Sequence, residues 1–352
     1  MPDSLRPIGV EVLRRLPKAE LHCHLDGSVR PETLLDLAKQ RGISMPKTSV
    51  RELREYMTVR DAQSLEDYLK RFEVTLAVMQ RADALERIAY ELGEDAHHDG
   101  VFYLEVRFCP VLNARDGLRE QAAVEAVIKG LQRAEGDYGI IARVIVTAMR
   151  SMSPEHSMDM ARVAVTYRHH GVAGFDLAGA ELGYPAASHA AAFEYARGHD
   201  VACTCHAGEG DGGASVRQAV HVCCAHRIGH GTRLFEDPSL LEYVNDRRIP
   251  IEICLTSNVQ THAAPSYATH PARKYFDAGL KVVFNTDNRL MSGTTLTDEY
   301  AHAATHLGFT FGELARVAMN GFDSAFLPWK ERQTLIAQAR GTIERLAREV
   351  LA

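Results

Sequence analysis

The stretch Ala19-Glu20-Leu21-His22-Cys23-His24-Leu25-Asp26-Gly27 places two histidines two residues apart in a short apolar segment. In a buried strand, side chains at positions i and i+2 leave the same face, so His22 and His24 would point together. Two neutral imidazoles on one face form half of a zinc site. Because 17 of the 352 residues are histidines, about one His-x-His pair is expected by chance. The other ligands must therefore come from the rest of the chain.

Length and composition are typical of one large domain, which we expect to span residues 1–352. The chain has 352 residues, 46% of them hydrophobic, and single α/β barrels reach this size. A formal net charge of −6 argues against a nucleic-acid partner, which would require a clustered basic surface. The substrate is therefore expected to be a small molecule rather than a nucleic acid.

Cysteine use and hydropathy indicate a cytoplasmic protein. The seven scattered cysteines do not resemble the framework of a small secreted disulfide protein, and they fit a reducing compartment. Residues 1–18 lack the continuous apolar segment of a signal peptide. No window approaches about 18 apolar residues, so no membrane span or membrane partner is expected.

Strand-like and helix-like segments alternate along the chain, which predicts an α/β fold. After the opening strand, candidate strands cover residues 101–108, 140–149, 172–177, 201–206, 227–230, 250–255 and 281–286. Candidate helices cover residues 118–134, 154–170, 187–197, 214–224, 238–246, 271–278 and 327–352. Eight strands with intervening helices predict a closed (β/α)₈ barrel of the TIM type with C-terminal helices. An open doubly wound sheet is the alternative, but no Gly-x-Gly-x-x-Gly turn follows the first strand.

A helical insert of about residues 28–98 is predicted between the first two strands. Its first helix starts at Pro31 and stops at Gly42, and a polar connection follows to about Gln63. Two runs of apolar residues at helical spacing come next, with Asp83 as a candidate N-cap between them. The runs consist of Leu65, Leu69, Phe72 and Leu76, and of Leu85, Ile88 and Leu92. Such an insert either covers the substrate or only packs on the outside of the barrel.

Polar residues recur where the predicted strands end, at the edge where such barrels carry their active sites. Strand one ends with His22 and His24; the other sets are His206 and Glu209 after strand five, His230 after strand six, and Asp287 and Asn288 after strand eight. A single buried histidine is often only bonded to a backbone carbonyl. Three histidines and one aspartate on one rim, however, would bind Zn²⁺ and leave a position for water. Arg107, on strand two, is expected to brace the barrel.

Together these segments resemble the adenosine deaminase family of the metal-dependent amidohydrolase superfamily, nearly from end to end. The matching segments are residues 16–27, 176–181 (Asp-Leu-Ala-Gly-Ala-Glu), 206–209 (His-Ala-Gly-Glu), 227–231 (Arg-Ile-Gly-His-Gly), 255–258 (Leu-Thr-Ser-Asn) and 285–287 (Asn-Thr-Asp). The resemblance implies a barrel with a single zinc ion per subunit. The cytidine-type zinc deaminases use a Pro-Cys-x-x-Cys motif, which does not occur in this sequence.

The resemblance also implies a role for each matching residue. The metal ligands would be His22, His24, His206 and Asp287. His230 and Asp287 would orient the attacking water and take up its proton, while Glu209 would protonate purine N1. For that role Glu209 needs a pKa raised by burial; the alternative for Glu209 is an ordinary salt-bridging carboxylate.

Substrate contacts are implied for His24, Asp26, Gly179 and Asn288. The backbone N–H of Gly179 would approach N3 of the purine, unless the glycine serves only chain geometry, and Asp26 would accept a hydrogen bond from a ribose hydroxyl. Asn288 stands where many family members have a second aspartate. Its amide can donate to purine N7 at any pH.

The implied function is zinc-dependent hydrolysis of adenosine, and of 2′-deoxyadenosine, to inosine and ammonia in purine salvage. One alternative is deamination of a related 6-aminopurine such as adenine, an N6-substituted nucleotide or aminodeoxyfutalosine. A second is a non-catalytic nucleoside-binding module. Asp26 favours a free 5′-hydroxyl over a 5′-phosphate because like charges repel.

Overall fold

The computed structural model describes residues 8–351, in which eight parallel strands form one sheet in the order of the chain. The strands are β1 Lys18–His24, β2 Val101–Phe108, β3 Ile141–Met149, β4 Val172–Ala178, β5 Ala202–Ala207, β6 Arg227–His230, β7 Ile251–Ile253 and β8 Val282–Phe284. β8 returns to β1 through a bridge between Cys23 and Asp287. There the amide of Asp287 donates to the carbonyl of His22 at 2.9 Å, and the amide of His24 donates to the carbonyl of Asp287 at 2.7 Å. The predicted (β/α)₈ barrel is confirmed, and the open sheet is ruled out.

Helices surround this sheet. They are α1 Val10–Arg15, α2 Pro31–Arg41, α3 Val50–Met57, α4 Leu65–Leu69, α5 Phe72–Leu76, α6 Ala82–His98, α7 Glu120–Tyr138, α8 Pro154–Tyr167, α9 Ala190–Gly198, α10 Gly213–His221, α11 Pro238–Asp246, α12 Leu255–Gln260, α13 Ala272–Asp277, α14 Leu296–Leu307, α15 Phe311–Ser324 and α16 Trp329–Leu351. Residues 1–7 and 352, which the predicted domain includes, lie outside the described residues. No helix between residues 8 and 351 combines the length and the apolar character needed to cross a bilayer.

Local signals explain several helix boundaries. α2 has Pro31 in its first turn and ends at Gly42, which adopts the left-handed conformation (φ 65°), as the sequence predicts. α14 and α15 both begin with a capping box, formed by Thr295 with Asp298 and by Thr310 with Glu313. These side chains satisfy backbone N–H groups that would otherwise lack partners.

The predictions for the segment between β1 and β2 were partly wrong. α3 lies inside the segment that was predicted to be a polar connection. The sequence did not indicate this helix because its eight residues bury only Leu53 and Met57, which is too short an apolar period to recognise. Asp83 is not an N-cap. α6 begins one residue before it, and the Asp83 carboxylate instead accepts hydrogen bonds from Arg41 at 3.4 Å and Arg81 at 3.2 Å.

Two predicted helices end earlier than expected, and a third continues further. α8 stops at Tyr167 rather than residue 170, and α10 stops at His221, so Cys223 and Cys224 follow the helix. α7 continues beyond residue 134 to Tyr138, where Gly139 (φ 72°) caps it. Because glycine has no Cβ atom, it adopts the left-handed conformation without a steric clash, and the helix ends there.

The interior of the barrel contains a buried ionic network. Arg107 donates to Glu252 at 2.9 Å and to Asp176 at 3.2 Å. Arg227 donates to the other oxygen of Glu252 at 2.6 Å and also to Glu105. All five residues are 1% exposed or less. Arg107 therefore braces β2 against β4 and β7, as expected from its position.

Replacing Arg107 with Met should lower the free energy of unfolding by about 3–5 kcal/mol, because it leaves the buried carboxylate of Asp176 without an arginine partner and that of Glu252 with Arg227 alone. Urea denaturation would measure this loss. Arg162→Met is the matched control, since Arg162 pairs with Asp159 on the surface with both side chains about 60% exposed, and its effect should stay below about 1 kcal/mol. Equal effects in the two variants would contradict the bracing role.

Candidate active site

The residues predicted for the site converge at the C-terminal ends of the strands. A cavity of about 190 Å³ is lined by His24, Asp26, Gly179, His206, Glu209, His230, Asp287 and Asn288. His22, the ninth, is fully buried beside them, with its Nε2 atom 3.4 Å from Oδ1 of Asp287. Residues from five different strand ends therefore meet around one small volume.

Four side chains are spaced like the ligands of a tetrahedral zinc ion. Nε2 of His24 lies 3.1 Å from Nε2 of His206 and 3.4 Å from Oδ1 of Asp287, which is also 3.4 Å from Nε2 of His22. Bonds of about 2.0–2.1 Å to a tetrahedral zinc place neighbouring ligand atoms about 3.3 Å apart. Nε2 of His22 has no hydrogen-bond partner in the described chain although it is buried. The donor set therefore fits a zinc ion.

His230 is a second candidate for the fourth ligand. One atom each from His22, His206, His230 and Asp287 lies within 4.8 Å of the others. Both ring nitrogens of His230, however, already face other groups: Nδ1 lies 2.9 Å from Nδ2 of Asn258, and Nε2 lies 3.3 Å from Oε2 of Glu209. The close approach of His24 to His206 and Asp287, and the partners that His230 already has, favour His24 as the ligand.

The buried ionic network orients two of these imidazoles. Nδ1 of His22 is 2.9 Å from Glu252, and Nδ1 of His206 is 3.1 Å from Asp176. Each carboxylate accepts the Nδ1 proton, which leaves the Nε2 lone pair free for a metal. Burial lowers the pKa of His206 and lowers that of His24 well below its usual range. Both rings are therefore neutral, as ligation requires.

Asp287 and His230 both adopt positive φ angles, 61° and 60°. Residues other than glycine rarely adopt this conformation, and it occurs mostly where the surrounding structure enforces it. Asp287 is held in this conformation by its backbone hydrogen bonds to β1 and by a 2.6 Å hydrogen bond that the Ser257 hydroxyl donates to Oδ2. Although burial alone would raise it, contact with His22 and the other histidines holds the pKa of Asp287 well below its usual range.

Glu209 has the environment of a carboxylic acid that keeps its proton. Burial raises its pKa well above the usual range, and the nearby carboxylates of Asp287 and Glu181 raise it further. Its Oε1 atom is buried without a hydrogen-bond partner in the described chain. The pKa shift expected from the sequence is therefore present.

Glu181 holds the loop that carries Glu209, a function that the sequence alone did not reveal. Its carboxylate accepts hydrogen bonds from four consecutive backbone amides, those of residues 208, 209, 210 and 211, at 2.7, 2.9, 2.7 and 3.1 Å. Glu181 belongs to the matching segment 176–181, but nothing local in that segment indicates a partner 27 residues later.

The remaining lining residues form the substrate side of the cavity. A Cβ atom at Gly27 would overlap the side-chain oxygen of Asn288, so glycine is required there for close approach. Gly179 has a φ of 100°, and a Cβ atom there would lie 2.8 Å from Met149, so chain geometry alone already requires a glycine. Burial raises the pKa of Asp26 to about 7, and Oδ1 of Asp26 has no partner in the described residues.

Helices α4 and α5 lie over this cavity. Their side chains contribute an apolar wall made of Leu65, Tyr68, Leu69, Phe72 and Leu76, together with Glu73 at its edge. The hydroxyl of Tyr68 is 2.9 Å from that of Ser292, which joins the wall to the loop after β8. Part of the predicted helical insert therefore lines the site.

A larger depression, of about 1,100 Å³, lies at the opposite end of the barrel. Its charged residues pair with one another, for example Arg143 with Glu135 and Arg168 with Asp200. It contains none of the predicted site residues. The smaller cavity is therefore the candidate active site.

The comparisons with known proteins agree with this geometry. The family model "Adenosine deaminase" matches residues 17–340. An adenosine deaminase of Mycobacterium sp. (strain JLS) is 42% identical over 348 residues, covering 94% of this chain and 96% of that protein. A probable adenosine deaminase of Dictyostelium discoideum is also 42% identical, but the chain spans only 42% of its length.

Solved structures that share the fold include an adenine deaminase from Arthrobacter aurescens, with a TM-score of 0.87 and 26% identity, covering 93% of this chain and 99% of that chain. A Burkholderia ambifaria amidohydrolase with bound Zn has a TM-score of 0.88 and 27% identity, covering 100% of this chain and 98% of that chain. The N6-methyl-AMP deaminase of Arabidopsis thaliana has a TM-score of 0.84 and 29% identity, covering 97% of this chain and 100% of that chain.

The barrel and its rim of histidines and carboxylates thus define a hydrolase of the amidohydrolase type. Within that class, the chain belongs to the adenosine deaminase family. It is an enzyme that hydrolyses the amino group of a purine.

Replacing Asp176 with Asn should weaken zinc binding by about 10- to 100-fold, because His206 loses the carboxylate that orients its ring. Competition with a chromophoric chelator would measure the zinc affinity of the folded variant. Asp159→Asn, on the surface, is the matched control and should bind zinc like the wild type. Unchanged affinity in Asp176→Asn would show that this hydrogen bond does not prepare the ligand.

Proposed function

We propose that the enzyme hydrolyses adenosine and 2′-deoxyadenosine to the 6-keto nucleosides and ammonia, with one zinc ion per subunit. The observation that carries this proposal is the composition of the cavity. A carboxylate with an unpartnered oxygen, Asp26, stands on the same lining as the candidate proton donor, Glu209. A nucleoside offers each of them a partner, a ribose hydroxyl for the first and purine N1 for the second.

The proposed ligands are His22, His24, His206 and Asp287. A zinc ion held by them would supply hydroxide at neutral pH by lowering the pKa of water. The neutral imidazoles of His24 and His206 and the short distances from Asp287 to His22 and His24 support this assignment, as does the bound Zn in the Burkholderia ambifaria amidohydrolase.

Glu209 acts as the general acid in this proposal. It donates its proton to N1 of the purine, so that the ring accepts electrons as the hydroxyl group adds to C6. Asp287 and His230 flank the attacking oxygen and orient it. In this proposal Asp287 accepts the proton that the attacking water loses and passes it to the amino group. The C6–N bond then breaks, ammonia leaves, the proton of the C6 hydroxyl group returns to Glu209, and the 6-keto purine remains.

The charge of the cavity supports a nucleoside rather than a nucleotide substrate. Of the described residues that line it, none is lysine or arginine, whereas Asp26, Glu73, Glu209 and Asp287 contribute carboxyl groups. Phosphate sites in proteins normally provide basic side chains or helix N-termini. A 5′-phosphate would therefore meet no basic side chain on this lining, which disfavours the nucleotide substrate of the Arabidopsis thaliana neighbour.

Asp26 also bears on whether adenine or a larger 6-aminopurine could be the substrate. A buried carboxylate oxygen left unpartnered costs about 1–3 kcal/mol, and adenine has no sugar hydroxyl to satisfy it. Asn288 would donate its amide N–H to purine N7, and Gly179 would present its backbone N–H to N3. These two contacts recognise the base and would be shared by all the candidate substrates.

A panel of 6-aminopurines tests the proposed substrate. With zinc-loaded protein, the ultraviolet change on deamination should give the largest kcat/KM for adenosine and 2′-deoxyadenosine, with adenine and N6-methyl-AMP at least about 10-fold lower, as expected for loss of one buried hydrogen bond. Asp26→Asn should lower kcat/KM for adenosine and leave that for adenine nearly unchanged. A preference for adenine, for N6-methyl-AMP or for aminodeoxyfutalosine would reassign the substrate, and no deamination at all would indicate a binding module.

Glu209→Gln should lower kcat by about 10²- to 10⁴-fold, because an amide cannot supply the proton to N1. Zinc content, measured by atomic emission, should stay at the wild-type level since Glu209 is not a proposed ligand. Glu242→Gln, on the exposed part of α11, is the matched control. Near-normal turnover in Glu209→Gln would rule out the acid role.

A further inference from the structure

A chain of hydrogen bonds leads from a backbone amide behind the site to His230. The amide of Ala272 donates to Nδ1 of His270 at 3.1 Å. Because a backbone N–H can only donate, Nδ1 of His270 is the acceptor. Burial lowers the pKa of His270 to about 3, so the ring is neutral and its single proton is on Nε2.

The next link is the carboxamide of Asn258. Nε2 of His270 lies 3.2 Å from Oδ1 of Asn258, and the hydroxyl of Thr232 donates to the same oxygen at 2.8 Å. Two donors on Oδ1 fix the orientation of the carboxamide, so Nδ2 is the atom that faces Nδ1 of His230, 2.9 Å away. An amide nitrogen is a donor only, and Nδ1 of His230 must therefore accept.

We propose that His270 and Asn258 are positioning residues that form a relay and hold the ring proton of His230 on Nε2. Each bond in the relay is determined by the one before it, starting from the backbone amide of Ala272. All four residues are fully or almost fully buried, so water does not offer alternative partners. The tautomer of a histidine is set in this way by the hydrogen bond that its other nitrogen makes.

The relay has a consequence for the chemistry, and this part rests on the proposed function. Because Nδ1 of His230 accepts the amide hydrogen of Asn258, it carries no proton, so the ring is neutral. With its proton on Nε2, His230 presents a donor to the attacking oxygen and has no lone pair there to take a proton. The sequence-based expectation that His230 takes up the proton of water is replaced by a donor role.

The relay also selects an oxygen of Glu209. Nε2 of His230 is 3.3 Å from Oε2 of Glu209. In the enzyme without substrate, a proton on Nε2 of His230 faces Oε2, which favours Oε1 as the oxygen that carries the proton of the neutral carboxyl group. This is the oxygen that has no partner within the described residues, and it is free to meet a substrate nitrogen.

Nitrogen-15 NMR of zinc-loaded enzyme labelled in its histidines tests the relay, with the His230 signal assigned from its absence in His230→Gln. The wild type should show a protonated Nε2 and a bare Nδ1 for His230. In Asn258→Asp, where a carboxylate can only accept, Nδ1 should become protonated, and kcat for adenosine should fall by about 10²-fold or more with KM changed less than about 3-fold. Asn245→Asp is the matched control, because Asn245 is partly exposed, lies outside the candidate site and donates only to a backbone carbonyl.

His270 gives a rescue pair. His270→Leu removes a donor from Oδ1 of Asn258, and kcat should fall by about 10- to 100-fold. His270→Gln restores an N–H donor and should recover most of that loss. A proton on Nδ1 of His230 in the wild type would overturn the relay even if no variant folds. The relay would also be overturned if the protonation of the His230 ring were unchanged in Asn258→Asp, or if kcat fell equally in the two His270 variants. Failure to deaminate adenosine would reject the proposed substrate but would leave the NMR result to decide the relay.

Discussion

The carboxylate of Glu252, buried at the centre of the barrel, is the group on which the site depends. It accepts hydrogen bonds from Arg107, Arg227, His22 and Thr204, and the two guanidinium groups hold its pKa well below the usual range against the effect of burial. A buried carboxylate is tolerated only when it is paired in this way. The two arginines face three carboxylates, those of Glu105, Asp176 and Glu252, so the network has one negative charge in excess. Asp287 adds a second, and a divalent cation at the histidines would balance both.

This network explains which parts of the site could be predicted from the sequence. The proposed ligand residues stand at strand ends, and the direction of a parallel strand alone brings such residues to one rim. Glu252 gave no such signal: between Ile251 and Ile253 it reads as the exposed residue of a half-buried strand, yet it is fully buried. Its partner Arg107 is 145 residues away in the chain. Pairing over that distance depends on closure of the barrel, which a local pattern does not contain.

The same limit applies to the positioning residues. Glu181 and Asn258 both belong to segments that match the family, but only their contacts give them a function. Helix α3 was missed for a simpler reason, since a helix of eight residues that buries only two side chains shows little periodicity. The sequence therefore predicted the elements and the residues that line the cavity better than it predicted what holds those residues in place.

Conformational strain and unpartnered polar atoms occur together at this site. Asp287 and His230 adopt left-handed φ angles, at a cost of about 1–3 kcal/mol each, and His22, Asp26, Glu209 and Asn288 each keep one buried polar atom without a partner in the described chain. A fold selected for stability alone would satisfy those atoms. Glu252 orients His22 and Glu181 holds the loop of Glu209, so a bound metal and a purine substrate would supply the missing partners there without further rearrangement. Such preorganisation favours binding, because the cost of ordering the site has been met during folding.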